Sequence, residues 1–147
     1  MKKITEKFEK WVSGSETQTK KIGEQLGKSL IAGDVVALYG ELGAGKTTMV
    51  KGIVRGLGAK TGTQVSSPTY VVIHEYEGKL KIYHLDWYRL KSVAGVDAAL
   101  AEECFYSNGV TLVEWPERGE RLLPDHRVEV RLKHQGPVTR AIEVSRR

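Results

Sequence analysis

Gly40, Gly43, Gly45, Lys46 and Thr47 stand within the stretch GELGAGKTT and satisfy the spacing G-x-x-x-x-G-K-[ST]. Each fixed position in that pattern has a separate task toward a polyphosphate. Gly43 and Gly45 let the backbone curl until successive N–H groups face phosphate oxygens. A helix starting here adds about half a positive charge at its first turn. Lys46 reaches the β and γ phosphates, and Thr47 offers its hydroxyl to Mg²⁺, an ion that keeps an octahedral oxygen shell and bridges terminal phosphates. The competing reading is a chance match in a glycine turn. A strand directly before the loop and a helix directly after it distinguish the two.

Such a loop requires a carboxylate opposite it, at the carboxyl end of a neighbouring parallel strand, to complete the metal shell and orient the attacking water. Asp86 ends the run KIYHLD and Glu114 ends VTLVE. Either is a candidate, and either is alternatively a surface acid where a strand stops. The spacing alone does not say which of the two meets the metal. His84 falls two residues before Asp86, on the same side of an alternating strand; the simpler reading is a polar core or surface histidine. Ser66 to Tyr70, SSPTY, occupies the place of a nucleotide-sensing loop, although Ser-Pro-Thr alone carries little specificity.

The elements that must position these residues follow from periodicity. Ser15 is a helix cap with Gln18 three residues on, and Ile22, Leu26 and Leu30 recur every fourth residue through a helix ending near Leu30. Gly33-Asp34 turns the chain. Val35 to Tyr39 is continuously apolar, as in a parallel strand buried on both faces. After the glycine loop, Met49, Val50, Ile53, Val54 and Leu57 share one helical face, and Gly58 ends it. Tyr70 to Tyr76 and Leu80 to Leu85, separated by EGK, predict a hairpin. Val96, Leu100 and Cys104 predict a further helix with that stripe facing inward. Pro116 then blocks continuation of the strand VTLVE. The tail alternates around Gly136-Pro137 and predicts an antiparallel hairpin on the sheet edge. Together these elements predict an α/β, P-loop NTPase-like three-layer fold with parallel central strands and antiparallel edge strands.

Composition bounds the rest. A chain of 147 residues is about one domain's worth, so residues 1–147 are expected to form a single domain. No apolar run approaches the roughly eighteen residues of a membrane span, and MKKITEKFEKW lacks the apolar core of a secretion signal. A lone Cys104, read as a packed thiol, fits a reducing compartment, and a cytoplasmic location is expected. The net charge of +5 permits an acidic partner or nucleic acid, but the bases are scattered without an aromatic-interleaved stripe, so a solvated surface is the simpler reading. Asn108 is the only asparagine, which excludes an Asn-Lys-x-Asp guanine reader. Only Arg89 lies between Asp86 and Arg118, which leaves no arginine-rich lid for a small-molecule kinase.

GELGAGKTT, SPTY, HLDWYRL and EWPERGERLLP occur here in one order, and together they resemble the bacterial TsaE (YjeE) family of P-loop ATPases over nearly the whole chain. The loop pattern is widespread. Ser67-Pro68-Thr69-Tyr70, His84-Leu85-Asp86 with Tyr88-Arg89-Leu90, and Glu114-Trp115 are the distinctive parts. The resemblance implies Mg-ATP as cofactor and a role in making N6-threonylcarbamoyladenosine (t6A) in tRNA. It implies that a partner, TsaD paired with TsaB, transfers the threonylcarbamoyl group while this protein's ATP-to-ADP cycle supports repeated turnover. Contact with tRNA itself is expected to be indirect.

By matching position, Glu41, Leu42, Gly43, Ala44, Gly45, Lys46, Thr47 and Thr48 would surround the phosphates. Thr47 and Glu114 would ligate Mg²⁺, Lys46 would clamp the phosphates, Asp86 would be the catalytic or water-orienting acid, and Thr69 a switch-like contact near the γ-phosphate. Ser15, Thr19 and Arg140 resemble positions near adenine and ribose, and Arg140 is alternatively a hairpin surface charge. Trp115 follows the metal glutamate as in the family, though an aromatic beside a buried strand is also ordinary core. No arginine lies in a motif that fixes it beside the γ-phosphate, so slow turnover by the isolated chain is expected. A small-molecule P-loop kinase and a nucleotide-gated binding module are the alternative functions.

Overall fold

The computed structural model describes residues 7–60, 63, 65 and 73–147. Its elements in order are β1 Lys7–Ser13, α1 Glu16–Ser29, β2 Val35–Tyr39, α2 Lys46–Gly56, β3 Ile73–Glu77, β4 Lys81–Asp86, α3 Gly95–Phe105, β5 Val110–Glu114, a 3₁₀ segment Pro116–Leu122, β6 Val128–His134 and β7 Arg140–Arg146. The strands form one sheet in the order β1-β7-β6-β2-β5-β4-β3. The inner four, β6, β2, β5 and β4, run parallel. The β3–β4, β6–β7 and β1–β7 pairs are antiparallel.

The central strands are apolar throughout because both faces of the sheet are covered there. Every residue of β2 and of β5 is buried. On one face Leu26 of α1 and Met49, Val50, Ile53 and Val54 of α2 pack on Val36, Leu38, Leu112 and Val130. On the other, Ala101 and Phe105 of α3 meet Val35, Ala37, Leu85 and Val113. The parallel register sets Asp86 beside Glu114 and Leu38 beside Glu114, so the carboxyl ends of three adjacent strands converge where α2 begins.

The first helix starts as its cap residues predict. Ser15 Oγ accepts from Gln18 N at 3.1 Å, while Gln18 Oε1 reaches back to Gly14 N at 2.6 Å. What periodicity does not show is how closely α1 approaches α2. Gly23 and Gly27 face Gly52 and Gly56, and a Cβ on Gly23 would stand 2.6 Å from the carbonyl oxygen of Met49. Cβ atoms on Gly27, Gly52 and Gly56 would likewise run into the backbone carbonyls of Ile53, Lys20 and Glu24. The backbones touch, so α1 fixes the direction in which α2 leaves the glycine loop.

Two expectations are corrected. The C-terminal hairpin forms, but it is not the sheet edge: β1 pairs outside β7 along its whole length. One face of β1 leaves Phe8 and Val12 61% and 69% exposed, while Trp11 on the other packs against the core. In α3 the inward stripe is Ala101, Cys104 and Phe105, and Val96, at 84% exposure, points to solvent. The i, i+3, i+4 set around Phe105 buries the larger aromatic surface, and the stripe through Val96 loses to it.

Candidate functional site

The loop from Gly40 to Gly45 joins the end of β2 to the start of α2. Gly43 and Gly45 have φ of 78° and 101°, in the left-handed region that disfavours any side chain, and both follow the sequence expectation. Ala44 N donates to Glu41 O at 3.0 Å to close the turn, with Leu42 exposed at its tip. Gly45 caps α2 without a side-chain hydrogen bond, and no acidic residue occupies the helix's first turn. An N-terminus of this kind, led by glycine and without an internal anion, fits a phosphate.

Lys46 is 6% exposed although it carries an ammonium group. Its Nζ donates to Gly40 O and lies 3.6 Å from the centroid of the Trp115 ring. Burial lowers its pKa from the ordinary lysine value, against the opposing pull of Glu114, Glu117 and Asp86. Thr47 and Thr48 follow on the first turn, each half-buried.

Both strand-end carboxylates lie across from this lysine, and each has an anchored oxygen. Asp86 Oδ1 accepts from Tyr88 N at 2.9 Å. Burial raises the Asp86 pKa above the ordinary carboxylate value; the Tyr88 N–H opposes the shift and the charge of Glu114 adds to it. Glu114 is 2% exposed, and its Oε2 lies 2.5 Å from His84 Nε2. His84 is therefore a polar core histidine paired with Glu114. Its i, i+2 relation to Asp86 was the only signal in the sequence, and that signal does not name Glu114.

Trp115 meets both readings: its ring faces Lys46 Nζ and also packs on the core cluster beneath α3. It is half-buried at the mouth, its ring 4.9 Å from that of Tyr88, and its backbone sits at φ 58°, ψ 48°. No other non-glycine residue among those described has positive φ. A left-handed tryptophan costs about 1–3 kcal/mol, and this one stands at the junction of β5 and Pro116.

Arg140 is not a free surface charge. Its Nε donates to Ala44 O at 3.1 Å and its Nη1 to Thr139 O at 3.1 Å, with a longer reach from Nη2 to Gly43 O at 3.4 Å. The guanidinium thus ties the β6–β7 turn to the back of the glycine loop. It also lines a cavity of about 170 Å³ with Ser15, Glu16, Thr19, Thr48, Pro137 and Val138. The three residues placed by resemblance near adenine and ribose are therefore neighbours of one another and of Thr48. Thr19 Oγ1 is already bonded to Ser13 Oγ at 2.7 Å and Ser15 Oγ caps α1. A second cavity of about 360 Å³, lined by Tyr39, Gly40, Glu41, Ala44, Arg131, Leu132, Lys133 and His134, opens on the other side of the loop and was not foreseen. Thr69, with Ser66 to Tyr70, lies outside the described residues.

Among the described residues no three His, Cys, Asp or Glu side chains form a metal cage. Mg²⁺ does not need one, since it commonly takes one or two protein oxygens together with phosphate and water. Thr47 and Glu114 are of the right donor type for it. No helix of the described residues is long and apolar enough to cross a membrane.

Fold and site together define a class: a mixed α/β protein whose glycine-lysine loop opens at the carboxyl ends of parallel strands, facing two acids. The family of threonylcarbamoyl adenosine biosynthesis proteins, TsaE, matches residues 13–142 of this chain. The chain belongs to the TsaE family. It is 40% identical over 134 residues to the tRNA threonylcarbamoyladenosine biosynthesis protein TsaE of Treponema pallidum, covering 91% of this chain and 98% of that one. The TsaE of Bacillus subtilis is likewise 40% identical over 134 residues, with 90% and 82% covered. The crystal structure of Bacillus subtilis YdiB superposes with a TM-score of 0.78 at 35% identity, over 98% of this chain and 88% of the other.

Proposed function

We propose that this protein binds Mg-ATP on the Gly40–Thr48 loop, hydrolyses it slowly, and through that cycle supports t6A formation by a TsaB–TsaD pair. The observation that supports it most is the position of Lys46, a buried ammonium leaning on the glycine loop and facing two strand-end carboxylates. In this reading Gly43, Gly45 and the first turn of α2 receive the phosphates, and Lys46 exchanges its carbonyl and ring contacts for phosphate oxygens. Thr47 and Glu114 would hold Mg²⁺, which supplies positive charge against the terminal phosphates. Asp86 orients the attacking water, and its raised proton affinity suits a group that handles a water proton. The cavity around Ser15, Thr19 and Arg140 is smaller than the roughly 300–1,000 Å³ of most ligand sites and would take only part of a nucleoside.

Arg140 points its donors at carbonyls behind the loop, and this supports a slow intrinsic rate that a partner raises. Linkage then requires ATP and the partner pair to strengthen each other's binding. Calorimetry and phosphate release test both levels. Lys46→Ala is expected to abolish Mg-ATP binding with an unchanged far-UV spectrum; parental binding and turnover in that variant would remove the ATPase reading. For the parent, addition of TsaB–TsaD is expected to raise the ATPase rate and ATP affinity. Complex formation that alters neither would remove the coupling.

A further inference from the structure

A carboxylate buried as deeply as Glu114 needs partners that hold its charge. Three adjacent strands supply the arrangement. His84 on β4 has no exposed surface, and its Nε2 stands 2.5 Å from Glu114 Oε2 on β5. On the far side of the imidazole, Nδ1 lies 3.3 Å from the Tyr76 hydroxyl on β3. The Tyr76 ring is 8% exposed and 6.1 Å from the imidazole, so the chain of bonds runs inside the apolar layer beneath α2. One arrangement of protons serves both contacts: the Tyr76 hydroxyl donates to Nδ1, and Nε2–H donates to the carboxylate. The Tyr76 hydroxyl also lies 3.5 Å from His74 Nδ1; with its proton on the nearer His84 Nδ1 it favours the tautomer that donates to Glu114.

We infer that Tyr76 and His84 are positioning residues that set the orientation in which the Glu114 carboxylate meets a metal ion. The inference rests on the Mg-ATP reading of the same site. With Oε2 tied to His84, the carboxylate cannot rotate freely, just as Asp86 is held by Tyr88 N on the neighbouring strand. Neither Tyr76 nor His84 needs to touch nucleotide. Outer-shell groups that orient a ligating side chain change metal affinity by about 10–100-fold when removed.

The test compares His84→Leu, which keeps apolar volume without a donor, with His84→Gln, which places an amide N–H near the Nε2 position, and with Tyr76→Phe. The readouts are the Mg²⁺ concentration for half-maximal ATP binding and the ATP affinity in EDTA. His84→Leu is expected to need about 10–100-fold more Mg²⁺ with its EDTA affinity unchanged, and His84→Gln to stay within about threefold of the parent. Tyr76→Phe is expected to fall between them. A purely structural role would weaken both readouts together and would not distinguish Gln from Leu. A parental Mg²⁺ requirement in His84→Leu, or equal impairment in the Gln variant, overturns the inference. Should His84→Leu not fold, a parental requirement in Tyr76→Phe overturns it. One measurement is independent of nucleotide: the parent is expected to show a slowly exchanging His84 Nε2–H proton resonance that is lost in Glu114→Gln. If that resonance is absent the relay is wrong whatever ATP does; if it is present while the parent shows no Mg-dependent ATP binding, the relay stands and the ATPase reading falls.

Discussion

Asp86 and Glu114 are neighbours in register yet are held by different groups, a backbone N–H for one and a buried imidazole for the other. Their substitutions are expected to separate. Glu114→Gln should raise the Mg²⁺ needed for ATP binding, whereas Asp86→Asn should leave binding near parental and lower kcat by about 10²–10⁴-fold. The reverse pattern would exchange the two roles. Asp86→Asn carries a second expectation, in stability. Because burial raises the Asp86 pKa in the folded state, its ionised form is disfavoured by folding, and the asparagine variant should melt higher at pH 7. That gain should vanish as pH falls below the unfolded value of about 3.8, where aspartate is protonated in both states. A melting temperature at or below the parent's at pH 7 would contradict it. At this scale placement was legible where one residue's chemistry suffices: the positive φ of Gly43 and Gly45, and Lys46 set near two strand-end acids. It was opaque wherever the role depends on a neighbour from another strand. His84 meets Glu114 across 30 positions of sequence, and Arg140 meets Ala44 across 96.

Among the elements, the α1–α2 pair packs backbone against backbone and leaves no room for added side chains. Alanine is about 1 kcal/mol better than glycine within a helix, so propensity alone predicts that Gly27→Ala stabilises. The Ile53 carbonyl blocks the added methyl, and displacing a packed helix costs typically 1–3 kcal/mol. The second effect should win. Urea unfolding of Gly27→Ala is expected to show a lower midpoint, and ATP affinity should fall with it because α2 carries Lys46 and Thr47. A midpoint equal to or above the parent's would mean that the helices separate easily. Val96→Lys is the contrasting case: at 84% exposure it should change stability by less than about 0.5 kcal/mol, whereas an inward Val96 stripe would make it severely destabilising. Element type and order were readable because hydrophobic period differs between helix and strand. The choice of face in α3 and the pairing of β1 were not, because two overlapping apolar stripes and an open edge become distinct only when the sheet is present.

Across the whole molecule, two groups that report on the α3 side of the sheet bind protons more tightly in the folded state. Burial pushes the Cys104 thiol up to about 11 and the Tyr39 phenol up to about 12, the latter helped by the charges of Glu129 and Glu120. Cys104 is the single cysteine, and its burial agrees with the packed-thiol reading. Since both folded values lie above the unfolded ones of 9.0 and 10.0, the native state retains protons that the unfolded chain has released. Stability is therefore expected to be undiminished by these groups below pH 9 and to fall as pH rises from about 9 toward 12. Each group contributes at most about 1.4 kcal/mol per pH unit within its own window. Urea unfolding from pH 7 to 11 would measure the slope, and the variants Tyr39→Phe and Cys104→Ala would assign it. Each loses one ionisable group, so each should flatten the alkaline decline relative to its own value at pH 7, whatever its absolute stability. Parallel curves for parent and both variants would show that the decline arises elsewhere and that the α3 layer admits water around these two side chains.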